Sequence, residues 1–258
     1  MASLSSDKLK HILFFAIFVA FWEAIARGGV LPPIVLPAPS AIAVRLYELF
    51  RGDEIQSHLM TTTVEVIAGY ALGVAAGFAF GAIVALVPAF EKFFYPYIVA
   101  LQTVPKVAIA PLFLIWFGYG ITSKIVIAAL VCFFPVLVSV MSAFHTTDRD
   151  QLDMMKAFGA SRWQTFVHLR AYAALPTIFA GLEIASVFAV IGALVGEFVG
   201  AQAGLGYLIA SLNFNIDVPG VFAVLIVLSA LGSVLHATVC FIGRRSVFWI
   251  RSERITIV

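Results

Sequence analysis

Few residues in this sequence could do chemistry, and most of those sit in apolar runs. Lys106 lies between Pro105 and Pro111, and Glu65, Glu183 and Glu197 fall in other hydrophobic stretches. A charge at such depth faces a cavity, a water-filled path or an opposite charge. Lys106 and Glu197 are therefore the candidates for a translocation pathway, and a lysine there would favour a small anion. In the alternative, Lys106 snorkels or pairs with a carboxylate such as Glu65 or Glu197. Hydrolysis would need a nucleophile and a base. Of His11, His58, His145, His168 and His236, only His236 is deep in an apolar run, with Ser229 and Ser233 at helical spacing before it. Such serines commonly bond their own backbone, so no catalytic residue is assigned. Cys132 and Cys240 also lie in apolar runs and suit packing. No Cys/His cluster has metal-ligand spacing, so no metal is expected. There is no Gly-x-x-x-x-Gly-Lys-Ser/Thr phosphate loop. The chain is not expected to be an enzyme, and it holds no cofactor of its own.

The elements that must position these residues are membrane helices. The 258 residues are 62% hydrophobic and 12% charged, which no soluble domain of this size requires. A net charge of +2 gives no reason to expect nucleic acid. The fold class is all-α and polytopic, a single transmembrane domain over 1–258. Six spans are expected, at about 11–27, 64–87, 93–117, 124–144, 175–198 and 218–242. The first is read as an uncleaved helix, because no convincing cleavage site follows it. Residues 28–63 form an outer surface segment. Pro32, Pro33, Pro37 and Pro39 keep its start extended, and Ser40 caps an amphipathic helix through Phe50.

Gly69, Gly73, Gly77 and Gly81 recur every fourth residue, and Gly192 and Gly196 repeat the pattern later. Both series would let a neighbouring helix approach closely. Pro96, Pro105 and Pro111 break the third span. The segment Gly196 to Ile209 is too glycine-rich for a simple helix and reads as a turn and a short helix. With six spans and the N-terminus inside, eleven Lys and Arg fall inside, among them Arg244, Arg245, Arg251 and Arg254. Four, namely Arg27, Arg45, Arg51 and Lys124, fall outside. That bias predicts N-in, C-in topology.

Between spans four and five, residues 147–174 carry dense charge. Asp148 can cap a first helix, with Gln151 as reciprocal partner, and Leu152, Met155 and Phe158 share one face. Gly159 falls where a helix ends in a left-handed residue. Ser161 caps the next helix, with Gln164 in the third position. By orientation this helix, turn and helix are cytoplasmic.

This stretch resembles the EAA loop of the membrane subunits of binding-protein-dependent ABC importers. Asp153 stands for its glutamate, Met154 and Met155 for its alanines, Gly159 for its glycine and Leu169 for its isoleucine. Its Leu-Pro is replaced by Ala171-Tyr172, with a second one present at Leu175-Pro176. Leu36 to Ile42, Pro105 to Gly120 and Gly196 to Ile209 are similar to the nitrate, sulfonate and taurine branch of that family. The similarity thus runs through nearly the whole chain, in order.

The resemblance implies a multi-pass permease of the bacterial inner membrane. It would form the pathway for a small, anionic solute, as a homodimer embedded in lipid. An extracytoplasmic binding protein would deliver the solute. A partner ATPase would supply ATP and Mg chemistry, and would engage Asp153, Lys156, Ala157, Phe158, Gly159, Ala160, Ser161 and Arg162. An ion-coupled secondary transporter is the alternative, since broken helices and buried charges suit one. It would have no need of the docking loop, and an intramembrane enzyme ranks below it.

Overall fold

The computed structural model describes residues 2–29 and 31–249. Arg251 and Arg254, assigned above to the inner side, lie outside the described residues. All regular structure among the described residues is helical. In chain order the helices are α1 (Ala2–Arg27), α2 (Pro39–Arg51), α3 (Glu54–Leu86), α4 (Pro88–Thr103), α5 (Ala110–Phe117) and α6 (Ile121–Ala143). They continue with α7 (Arg149–Ala157), α8 (Arg162–Thr165), α9 (Ala171–Gly200), α10 (Leu205–Phe214) and α11 (Val218–Ser246).

Among the described residues, five runs are long and apolar enough to cross a membrane: Leu9–Arg27, Glu54–Leu86, Ile121–Ala143, Arg162–Gly200 and Val218–Ser246. The count reaches six if α4 and α5, bent by 80° at their break, are one span. The bend follows from chemistry. Pro105 biases Val104 to an extended backbone (φ −67°, ψ 125°), and a short 3-10 turn, Lys106–Ile109, leads into α5.

Three helices are longer than hydropathy implies. α3 begins at Glu54, so residues 54–63 are its first turns and not part of the surface segment. Asp53, in a left-handed conformation (φ 54°), makes the tight join to α2. The polar run Thr61–Thr63 lowers hydropathy without breaking a helix. Likewise α8 joins α9 through a π-helical turn, Phe166–Arg170, so residues 162–174 are helical and continuous with the apolar run that ends at Gly200. α4 starts at Pro88, ahead of the expected residue 93, since a proline suits the first turn of a helix.

The chain forms two compact units, residues 1–60 with 203–229 and residues 61–202 with 230–258. In the first, Glu23 of α1 ties down the start of α2. Its carboxylate accepts from the Ser40 backbone N–H (3.0 Å) and hydroxyl (2.7 Å), and from Arg27. Ser40 is therefore not the cap expected. Ala38 holds the N-cap position, and a carboxylate from another helix satisfies the first turn. Further along α2, Arg45 donates to Asp217 (2.6 Å), whose other oxygen accepts from Gly220 N–H (3.0 Å) at the start of α11. This partnership raises the Arg45 pKa. His58 accepts from the Gly204 N–H (3.0 Å), just ahead of α10.

The second unit is built around α6. The glycines of α3 lie against it. A Cβ at Gly69 would sit 2.5 Å from Ala128 Cβ, one at Gly77 2.7 Å from Phe133 O, and one at Gly81 3.0 Å from Leu137 O. From the α9 side, a Cβ at Gly192 would sit 2.7 Å from Ala128 Cα. Ala128 is thus met by glycines of two helices and is fully buried. Without a hydrophobic drive between helices in lipid, such close backbone approach supplies the packing.

Candidate functional site

Two places hold the residues singled out by chemistry: the loop between α6 and α9, and a polar cluster within the second unit. In the loop, Asp148 caps α7 by accepting from the Asp150 N–H (3.0 Å), one residue short of the expected partner Gln151. The helix ends in a Schellman arrangement. Gly159 is left-handed (φ 73°), its N–H donates to Lys156 O (2.9 Å), and the Ala160 N–H donates to Met155 O (3.0 Å). Ser161 then forms a complete capping box with Gln164, at 2.8 and 3.2 Å. Lys156 pairs with Asp153 at 2.8 Å, and both are well exposed.

No residue of α7 is buried. Leu152 and Met155 are half-buried, whereas Phe158 swings clear of that face and is 81% exposed. Trp163 is 72% exposed. These aromatics flank the turn made by Gly159, Ala160 and Ser161.

The loop is mechanically joined to α6. The Trp163 ring stacks on Phe166, and Phe166 on Phe144, each pair with centroids 5.9 Å apart. Phe144 is the C-cap residue of α6. Thr146 adds hydrogen bonds to Ala143 O (2.7 Å) and Ala173 O (3.3 Å). Trp163 and Phe166 are three residues apart, close to one helical turn, but their stack onto Phe144 had no sequence signal.

The intramembrane charges are arranged differently from expectation. Lys106 pairs with neither Glu65 nor Glu197. Its amine donates to Gln102 O (2.8 Å) at the break after α4 and lies 4.7 Å from the centre of the Phe134 ring. The lysine beside those carboxylates is Lys124, expected among the outer surface charges and here 1% exposed. Its amine donates to the carbonyls of Tyr119, Gly120 (3.2 Å) and Gly200 (2.7 Å). Gly200 closes α9, where a cation complements the helix dipole. Glu197 and Glu65 are each 2% exposed, and Thr62 donates to Glu197 at 2.6 Å.

Around His236, Ser229 bonds its own backbone at Leu225 O, as expected of a helical serine. The His236 ring neighbours Ser186 and Cys240, each at 3.4 Å. Among the described residues, no group of three His, Cys, Asp or Glu side chains is disposed to hold a metal ion.

A sequence model of the "binding-protein-dependent transport system inner membrane component" matches residues 69–246, from the first α3 glycine to the end of α11. The chain belongs to this family. Like its other members, it is a transport permease, the membrane subunit of a binding-protein-dependent ABC importer. The formylaminopyrimidine transport permease protein ThiX of Halalkalibacterium halodurans is 37% identical over 88% of this chain and 90% of its own. The putative aliphatic sulfonates transport permease protein SsuC of Bacillus subtilis is 29% identical over 93% and 87%. The fold is shared with the MetNI methionine ABC transporter in its inward-facing form. That match has TM-score 0.63 at 17% identity and covers 74% of this permease and 95% of the matched chain. The family match covers the whole loop from Asp148 to Arg170.

Proposed function

We propose that this permease works as a homodimer in a bacterial inner membrane, with N- and C-termini in the cytoplasm, and that an ATPase subunit seats the α7 turn in a surface groove. The observation that carries the docking site is Phe158. It is a large apolar side chain, 81% exposed, at the end of a helix with no buried residue. Exposed aromatics at a rigid turn suit helix-in-groove binding. Asp153, Lys156, Ala157, Gly159, Ala160, Ser161 and Arg162 form the contact surface around it. The ATPase binds ATP and Mg, and its closure pulls α7. The Trp163, Phe166 and Phe144 stack passes that pull to α6, and the helix continuous from Arg162 passes it to α9. Alternating access is then a rigid-body change biased by nucleotide.

An extracytoplasmic binding protein delivers a small solute. Lys106, half-exposed at the break between α4 and α5, supports an anion. The likeness to a permease named for formylaminopyrimidine supports a second reading, an uncharged nitrogen heterocycle. Affinity purification of the tagged permease from native membranes tests the assembly. An ATPase should be recovered in about equal amount and lost with Phe158→Asp. Recovery of the permease alone from conditions that preserve other complexes would refute the docking site. Ligands of the binding protein that partners this permease decide between the two solute classes.

A further inference from the structure

α4 is lightly held. Among its described residues only Ile98 is buried, in a cluster with Val84 of α3 and with Phe134, Leu137 and Met141 of α6. Phe93, Tyr95, Tyr97 and Leu101 are exposed. In lipid, apolar contact of this kind packs helices without a hydrophobic drive between them. A polar bond at one end of α4 therefore weighs heavily on where the helix goes.

Such a bond exists at the end nearest the loop that carries α7. His145 Nε2 donates to Glu91 Oε1 at 2.7 Å. A carboxylate only accepts, so the bonded ring nitrogen carries the proton. Glu91 lies in the first turn of α4. His145 lies two residues beyond the end of α6 and three before Asp148, the N-cap of α7. Its own N–H donates to Ser142 O (3.0 Å), which fixes it to the last turn of α6. At the far end of α4 the chain runs through the break to Lys106, whose amine lies over the Phe134 ring. As a source of stability the pair is minor, since His145 is 57% and Glu91 30% exposed. Its value is in position.

We propose that His145 is a positioning residue that latches α4 to the loop through Glu91, so that α4 and the Lys106 break beyond it move with the loop when the ATPase closes. This rests on the ATPase seating the α7 turn. It adds α4 to the elements that receive the pull, and α4 is the helix that leads to the candidate pathway lysine.

The test uses the full permease with its co-purified ATPase in lipid nanodiscs. A trifluoromethyl-phenylalanine probe replaces exposed Tyr97 on α4 or exposed Phe198 on α9, in separate preparations. Fluorine NMR is recorded without nucleotide and after trapping with ATP and vanadate. In the parent, both probes should move to a new resonance on trapping. Glu91→Ala and His145→Ala should each cut the shifted fraction of the Tyr97 probe roughly two- to fivefold, the range for one partly exposed ion pair. The Phe198 probe should respond as in the parent. His145→Gln, whose amide can donate to Glu91, should restore the Tyr97 response, as should Glu91→His combined with His145→Glu. The latch is overturned by a parent-like Tyr97 response in the alanine variants, by a loss shared equally by both probes, by failure of both rescues, or by a Tyr97 probe silent in the parent. If both probes still respond in Phe158→Asp, the seating of the ATPase at α7 fails instead.

Discussion

Phe166 lies flat on Phe144, with ring centroids 5.9 Å apart and planes 16° from parallel. One ring belongs to the π-helical turn that leads into α9, and the other caps α6. An aromatic pair of this kind contributes about 0.5–1.5 kcal/mol beyond its buried area. Phe166→Ala should therefore loosen the joint between loop and bundle while leaving the exposed Phe158 face intact. ATPase recovery in a pull-down should be unchanged, and ATP-driven uptake should fall roughly fivefold, the equivalent of about 1 kcal/mol. Unchanged uptake would show that the force travels only through the α8 to α9 helix.

Gly159 has open space around the position of a side chain, so steric clash with neighbours is not what excludes other residues. Its left-handed φ of 73° is the constraint. Gly159→Val should cost about 1–2 kcal/mol in backbone strain and distort the turn. Gly159→Pro also removes the N–H that bonds Lys156 O. Both variants should insert normally and lose uptake, whereas Gly159→Asn, which tolerates this conformation, should keep most of it. Wild-type uptake by the valine variant would remove the turn from the coupling mechanism.

Lys124 and Lys106 should behave oppositely. Lys124→Met leaves the carbonyls of Tyr119, Gly120 and Gly200 without their donor, and leaves Glu197 without a buried cation. Breaking such a buried arrangement costs about 3–5 kcal/mol, and thermal unfolding in nanodiscs should register a clearly lowered midpoint. Lys106→Gln removes one carbonyl bond and a ring contact at a half-exposed break. Stability should stay within about 1 kcal/mol. Uptake of an anionic solute should slow while basal ATPase activity persists. Transport unaffected by Lys106→Gln would favour the uncharged solute.

The α3 glycines are predicted to tolerate almost nothing. At Gly77 even alanine would place Cβ 2.7 Å from Phe133 O, a contact backbone cannot relieve cheaply. Gly77→Ala should lower the unfolding midpoint by an amount equivalent to about 1–3 kcal/mol. Gly120, whose Cβ would meet nothing within 4 Å, is the matched control.

Much of the chain was legible as sequence, wherever the deciding physics is local. Apolar runs require helices in lipid, because each backbone group must be satisfied within its own segment. Pro105 forces the break, Ser161 and Gln164 sit at capping-box spacing, and Gly159 marks the helix end. The four-residue glycine spacing puts close contacts on one face of α3. Helix lengths were less legible, since Thr61–Thr63 and Arg162–Arg170 lower hydropathy without interrupting backbone bonding. Which lysine is buried could not be read at all. Lys106 and Lys124 both stand near the start of a helix in an apolar run, and local pattern ranks Lys106 as the deeper. The packing of α6 between α3 and α9 decides otherwise. It brings Glu65, Glu197 and the end of α9 around Lys124, and leaves Lys106 at an open break. Neighbours so distant in sequence are chosen by tertiary contact alone, and the same holds for the Phe144 and Phe166 stack.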